Sequence, residues 1–264
     1  MNSERPHFLL TNDDGIDALG INMLYEVLQN HGRVTMIAPD QERSAVSHAF
    51  SLHHPLRLIK RRESVYSLSG TPVDCVMFGL RGFLDPEDLP DFVISGINHG
   101  ANLGDDVLYS GTVAGALEGA MFSKPAVAVS LATEFSDPKE LQKLHMETAA
   151  GFMDAFIPHF VEKPCPGGTL LNVNVPNLPK DRIEGSRFTT LGKRIYRDRV
   201  IQRHDPQGRE YYWIGGDPPE HEPAEGTDFD ALSHNHVAIT PLKWRMCHGE
   251  DLRRYSDWPS IRVE

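Results

Sequence analysis

Two neighbouring acids, Asp13 and Asp14, stand in the polar run Asn12-Asp13-Asp14-Gly15 that ends the apolar run His7-Phe8-Leu9-Leu10-Thr11. Adjacent carboxylates repel each other and are held together at little cost only when a cation lies beside them. The segment Asp40-Gln41-Glu42-Arg43-Ser44 follows a second apolar run, and Asn98 follows a third. Ser44 and Asn98 would add a hydroxyl and an amide oxygen to the two acids. Such an all-oxygen set suits Mg²⁺, Mn²⁺ or Ca²⁺ better than zinc or copper. On the residues alone, an acidic turn that merely caps a helix fits as well as a metal centre. Asp17, just before the apolar period that begins at Ala18, is expected to be such a cap.

The segment from Gly96 to Gly104 is dense in glycine, which permits positive φ and close backbone approach to a ligand. It runs through Tyr109-Ser110-Gly111-Thr112 into a helix of small residues. Backbone N–H groups at a helix start, with the hydroxyls of Ser110 and Thr112 beside them, can seat a phosphate. Taken by itself, this pattern is more often an ordinary Ser/Thr N-cap. An acidic metal site on the facing wall would shift that balance.

Other chemistries fit less well. Cys75 and Arg81 have the spacing of a cysteine-dependent phosphatase, but the intervening Val76-Met77-Phe78-Gly79-Leu80 is apolar. Gly70-Thr71-Pro72-Val73 reads as a helix start, so Cys75 is expected to be a packed core thiol. The glycines of the 96–104 loop do not spell GxGxxG, there is no GxSxG or HExxH, and Asp13-Asp14 lacks DxD spacing. His48, His53, His54, His234 and His236 are scattered and read as surface or structural residues, and His99 as exposed loop filler.

The elements that must position these residues alternate. Strands are expected at 7–11, 34–38, 92–95, 126–131 and 170–175, with helices from Leu19 to the Asn30-His31-Gly32 stop, from Thr112 to about Phe122, and over 138–160. That order implies an α/β fold: a Rossmann-like three-layer domain with a mostly parallel sheet covered on both faces. Ligands collect beyond the carboxyl ends of such strands, where the three polar segments fall, so they are expected to converge. After Pro176 the composition shifts, and a long hairpin is expected from Phe188 to Trp213, turning near Asp205-Pro206-Gln207-Gly208. The expected organisation is a catalytic core over 1–180, a hairpin lobe over 181–236, and a final strand with a carboxy-terminal arm over 237–264. The polar tail carries Trp244 and Trp258 and gains order only by docking, in cis or on a partner subunit.

The length of 264 residues allows one large core or a core with an appendage. A net charge of −11 disfavours nucleic-acid polymers and anionic membranes, and requires a local positive centre for any anionic substrate. No apolar run approaches the roughly 20 residues of a bilayer span, and the segment Met1 to Pro6 has no signal-like stretch. Cys75, Cys165 and Cys247 are too scattered for a disulfide framework or a thiolate zinc site. A cytoplasmic protein with reduced thiols is expected.

Five ordered segments resemble the SurE family of stationary-phase survival proteins, which act as 5′-nucleotidases. They are Leu10-Thr11-Asn12-Asp13-Asp14-Gly15-Ile16, Ala38-Pro39-Asp40-Gln41-Glu42-Arg43-Ser44, Ser69-Gly70-Thr71-Pro72-Val73-Asp74-Cys75, Ser95 to Gly104, and Tyr109-Ser110-Gly111-Thr112-Val113-Ala114. The resemblance implies that Asp13, Asp14, Ser44 and Asn98 hold one divalent ion per subunit, Mg²⁺ or Mn²⁺ with Ca²⁺ admissible. It further implies that Asn102, Ser110, Gly111 and Thr112 line a phosphate pocket and that Asp13 and Asp14 are catalytic. The expected reaction is hydrolysis of nucleoside 5′-monophosphates to nucleoside and phosphate, by a homodimer or homotetramer that exchanges its carboxy-terminal arm. Broader phosphatase activity on 3′-nucleotides or polyphosphate, and metal-dependent nucleotide binding without catalysis, are the alternatives. The sequence leaves open whether water attacks phosphorus, with Asp13 as base, or Asp13 forms a phosphoaspartate.

Overall fold

The computed structural model describes residues 5–133, 143–196, 198–216, 220–245 and 249–259. Along the chain, β1 (His7–Thr11), α1 (Leu19–His31) and β2 (Arg33–Pro39) form the first βαβ unit. An antiparallel pair follows, β3 (Leu58–Arg62) and β4 (Val65–Leu68), then α2 (Pro72–Phe78), β5 (Phe92–His99) and α3 (Gly111–Met121). The core is completed by β6 (Ala126–Ala132), α4 (Met146–Glu162) and β7 (Thr169–Pro176). Beyond it come β8 (Gly185–Phe188), β9 (Arg194–Ile195), β10 (Asp198–His204), β11 (Glu210–Gly216) and β12 (Glu220–His221). The chain ends through α5 (Asp228–Ser233), β13 (His236–Lys243) and α6 (Gly249–Arg254).

Nine strands form one sheet in the order β3-β4-β2-β1-β5-β6-β7-β13-β8. From β4 to β7 all neighbours are parallel, whereas β13 runs antiparallel to β7. Every residue of β1 and β6 is buried, as both-face coverage of a parallel sheet requires. The pleat divides them between two layers. Phe8, Leu10, Ile94, Val127 and Val129 pack under α1 and α4, while Leu9, Val93, Ala126 and Ala128 pack under α2 and α3. Each large apolar side chain so buried contributes roughly 1.5–3 kcal/mol relative to exposure. Helix α3 lies close to the sheet because it presents small residues: a methyl group on Gly119 would fall 2.5 Å from Val93 Cβ.

Strand order reverses at β1. The chain leaves β1 for β2 and β4 on one side, then returns to β5 on the other, with Thr11 beside Ser95. The carboxyl ends of β1 and β5 therefore open a crevice at the switch point, where ligands bind in sheets of this kind.

Several expectations change. The long helix starts at Met146, residues 143–145 are not helical, and 138–142 lie outside the described residues. The strand expected to end at Ser95 continues to His99, because an irregularity between Ser95 and Asn98 lets pairing with β6 resume at Asn98↔Ser130. Asp17 does not cap α1. Backbone bonds from Ile16 to the Pro39 carbonyl and from Ala18 to the Gly15 carbonyl set the turn, so the cap position falls on Ala18 and the Asp17 side chain is 84% exposed. Asn22 secures the helix start instead, reaching the Ile16 and Ala18 carbonyls at 3.1 and 2.8 Å.

The hairpin turns at Asp205–Gly208 as expected but begins at Asp198, since Phe188 belongs to β8. Within 181–236, β8 pairs with β13 in the main sheet and α5 packs Phe229, Ala231 and Leu232 against Ala238 of β13, so this segment is not wholly a separate lobe. Among the described residues no helix is long and apolar enough to cross a membrane.

Candidate active site

The turn after β1 is closed by Asn12, whose amide nitrogen donates to the Gly15 carbonyl at 2.9 Å. It is stapled to the turn after β2 by two backbone bonds, Arg43 N–H to the Asp13 carbonyl at 2.7 Å and Ile16 N–H to the Pro39 carbonyl at 2.8 Å. These bonds place Ser44, one residue beyond Arg43, beside the acidic turn. The Ser44 hydroxyl donates to Glu42 Oε1 at 2.8 Å and is exposed.

From the other side of the crevice, the His99 backbone N–H donates to Asp14 Oδ2 at 3.1 Å. The His99 side chain is exposed, and its charge adds to the backbone bond in opposing the upward shift of Asp14. Its neighbour Asn98 directs its amide nitrogen to the Gly100 carbonyl at 2.8 Å, leaving the side-chain oxygen as its available donor to a cation. The Thr112 hydroxyl donates to Asp13 Oδ1 in a short bond, tying the acidic turn to the first turn of α3. Gly111 permits this approach, since a methyl group there would lie 2.9 Å from Asp13 Oδ2. Ser110 is the N-cap of α3 and accepts the Val113 N–H at 3.0 Å. The N–H groups of Gly111 and Thr112, at the helix start, have no acceptor within α3.

Asn102 sits differently. It is 7% exposed, and its amide nitrogen donates to Ser130 Oγ at 2.8 Å. Its backbone N–H goes to Asn174 Oδ1 at 2.8 Å, and its carbonyl accepts from the amides of Asn172 and Asn174 at 2.8 and 3.0 Å. The arrangement clamps the glycine-rich loop from beneath.

Burial and the neighbouring Asp14 charge push the Asp13 carboxyl up from 3.8 to about 6, against the opposing pull of the Thr112 hydroxyl. Asp14 is also raised, first by burial and then by Glu42, while the His99 N–H opposes the shift. Among the described residues no lysine, arginine or histidine forms an ion pair with either acid; the nearby Arg43 guanidinium turns to Asp40 at 3.7 Å. Two partly desolvated acids with an amide oxygen and a hydroxyl at hand, and no ion pair to either acid among the described residues, fit a hard divalent ion.

A family model described as Survival protein SurE matches residues 8–198. The chain belongs to the SurE family. It is 44% identical over 250 residues to a protein of Geotalea daltonii named 5′-nucleotidase SurE, covering 95% of this chain and 98% of that one. A protein of the same name from Stenotrophomonas maltophilia is 45% identical over 251 residues, covering 95% and 94%. The crystal structure of the SurE protein from Aquifex aeolicus superposes with a TM-score of 0.82 at 38% identity, covering 94% of this chain and 98% of that one.

In this SurE protein Cys75 is fully buried in α2, and burial, with the Asp74 charge, pushes its thiol well above the usual range. Arg81 is engaged elsewhere, over the Phe122 ring at 4.9 Å. Cys75→Ser is therefore expected to retain phosphate-release activity within about threefold, losing only the roughly 1 kcal/mol of stability typical of a hydroxyl placed in a packed core. A loss of turnover beyond tenfold in a folded variant would contradict this. Cys165 is likewise a free thiol, and Cys247 lies outside the described residues.

Sequence reasoning missed two supports of the SurE site. Asp228 accepts the N–H groups of Gly104 and Gly192, each at 2.8 Å, and of Phe229 at 3.0 Å. Nothing local marks it, because Thr227 and Asp228 read as an ordinary helix start. The Asn172–Asn174 pair did carry a signal, since polar residues two apart in an apolar strand share one face.

Proposed function

We propose that this chain is a metal-dependent 5′-nucleotidase that hydrolyses nucleoside 5′-monophosphates to nucleoside and phosphate. The observation that carries the reading is the bond from Thr112 to Asp13, which joins the acidic turn to the phosphate-facing start of α3. Asp13, Asp14, Ser44 and Asn98 would hold one Mg²⁺ or Mn²⁺ ion per subunit. When bound, the ion supplies Lewis-acid chemistry, withdrawing charge from the phosphoryl group. The Gly111 and Thr112 N–H groups and the Ser110 hydroxyl orient and neutralise phosphoryl oxygens, with the positive end of α3 behind them. Thr112 fixes the rotamer of Asp13, and the Asn102 clamp keeps the glycine-rich loop rigid, so the cradle needs little reorganisation during reaction.

The same reading covers the surroundings. The β10–β11 ribbon exposes Val200 at 67% and Ile214 at 82%, and the tail exposes Trp258 at 66%. A two-stranded ribbon is marginal in water by itself, which favours a homodimer or homotetramer that covers these surfaces. Reduced Cys75 and Cys165 accord with a cytoplasmic enzyme.

The test is phosphate release from 5′-AMP, 3′-AMP, polyphosphate and p-nitrophenyl phosphate, with Mn²⁺, with Mg²⁺ and with EDTA. The reading expects 5′-AMP to be preferred and EDTA to abolish turnover. Nucleotide binding without phosphate release at saturating metal would overturn it. The pH dependence follows from Asp13, whose folded carboxyl titrates at about 6 instead of 3.8. Without metal, the protonated form stabilises the fold below the unfolded value, and that contribution is lost as pH rises through 6. A bound cation favours the ionised form, so its stabilisation must grow over the same window. The thermal shift caused by Mn²⁺ is expected to be large at pH 7.5 and nearly absent at pH 4.5.

A further inference from the structure

The loop between β2 and β3 carries Ser44 through an unfavourable backbone course. Ala45 and Ser47 take φ values of 56° and 54°, in the left-handed region that residues with a Cβ rarely adopt. Such a course persists only where surrounding bonds enforce it. Ser47 supplies two of them, its N–H to the Tyr109 carbonyl at 3.0 Å and its hydroxyl to the Leu108 carbonyl at 2.6 Å.

His48 supplies the third, with Nε2 at 2.8 Å from Glu118 Oε2. An ionised carboxylate only accepts, so Nε2 carries the proton. Glu118 lies on α3 with a side chain 7% exposed, amid the small residues Ala114, Gly115, Ala116, Gly119 and Ala120. A carboxylate so buried needs a partner, and His48 provides it. Glu118 follows Gly111 by seven residues, two helical turns, and so shares the face on which Gly111 meets Asp13.

We propose that His48 is a positioning residue: its bond to Glu118 latches the strained 44–48 segment along α3 and thereby keeps Ser44 beside the Asp13–Asp14 turn. The proposal rests on the assignment of Ser44 as a metal ligand. Without the latch, the segment gains conformational freedom that metal binding must then remove.

The experiment measures Mn²⁺ affinity by EPR, in the full-length protein without substrate, for His48→Ala, His48→Gln and Ser44→Ala. Kinetics at varied Mn²⁺ and thermal melts without metal accompany it. His48→Ala is expected to weaken Mn²⁺ binding about tenfold, roughly the worth of one charge-assisted hydrogen bond. The Mn²⁺ concentration for half-maximal activity should rise by the same factor, with kcat at saturating Mn²⁺ within about twofold of wild type. His48→Gln, which retains a side-chain N–H donor, should recover most of the loss. If His48→Ala does not fold, His48→Asn, polar but too short to reach Glu118, carries the same expectation. Unchanged affinity in the His48 variant beside weakened affinity in Ser44→Ala would overturn the latch and leave the metal assignment standing. Unchanged affinity in Ser44→Ala would remove the assignment and the latch with it, and a loss that Gln does not restore would also overturn the proposal.

Discussion

Asp13→Asn is expected to reduce phosphate release by about a thousandfold or more, on the order of 4 kcal/mol of transition-state stabilisation. The substitution keeps the size and the oxygen that accepts the Thr112 proton, so the fold has no steric reason to change. What it removes is a negative charge beside Asp14. The protein and the reaction should therefore respond with opposite signs. Without metal, Asp13→Asn should be slightly more stable than wild type at pH 7.5, because a buried charge next to Asp14 is gone. With Mn²⁺, wild type should gain stability and the variant should not. Thermal melts with and without Mn²⁺, alongside a phosphate-release assay, test both halves. Retention of more than a tenth of wild-type turnover would remove Asp13 from the site.

Asp228→Ala is expected to lower global stability by about 4 kcal/mol, since the loss of one carboxylate leaves two buried N–H groups and one part-buried N–H without this acceptor. For a chain of 264 residues, that corresponds to a fall in the unfolding midpoint of roughly 10 °C. Two of the three donors, Gly104 and Gly192, come from segments far apart in the chain, which Asp228 bridges alongside the bonds of Arg194 to Asp105 and Asp106. The damage should therefore appear first as increased hydrogen exchange at Gly104 and Gly192, and as a raised KM for the nucleotide. Asp228→Asn should do less harm, because an amide oxygen still accepts one or two of the N–H groups. Denaturant unfolding of the two variants checks the order, and equal stabilities would show that burial of the side chain matters more than its bonds.

What could be read from the sequence was what short-range chemistry fixes. The first βαβ unit was legible because Phe8 to Leu10 are apolar without interruption and α1 repeats its apolar positions at helical spacing. The approach of the Asp13–Asp14 turn to the segment from His99 to Thr112 was legible because both lie beyond the carboxyl ends of adjacent parallel strands, β1 and β5. Asp17 was misread because a backbone bond to Pro39, a distant residue, decides where α1 begins. The placement of β8 was hidden for a related reason. Gly185–Phe188 is exposed throughout and joins the sheet only through its pairing with β13, some fifty residues later in the chain. From sequence, Asn102 reads as a ligand-facing loop residue; its bonds to Ser130, Asn172 and Asn174 could not be foreseen, because the shared face of Asn172 and Asn174 does not tell which distant loop they hold.

The staple between the first two turns is made of peptide groups alone: Arg43 and Ile16 each give a main-chain N–H, and Asp13 and Pro39 each give a carbonyl. Inheritance can therefore rewrite the side chains at 41 to 43 without loosening the joint. One residue type is barred, because proline at 43 or 16 would delete the N–H itself. Drift in this stretch thus leaves the joint intact, although Glu42 is tied further by accepting the Ser44 hydroxyl, and the spacing from the acidic pair to Ser44 should outlast the identity of Gln41.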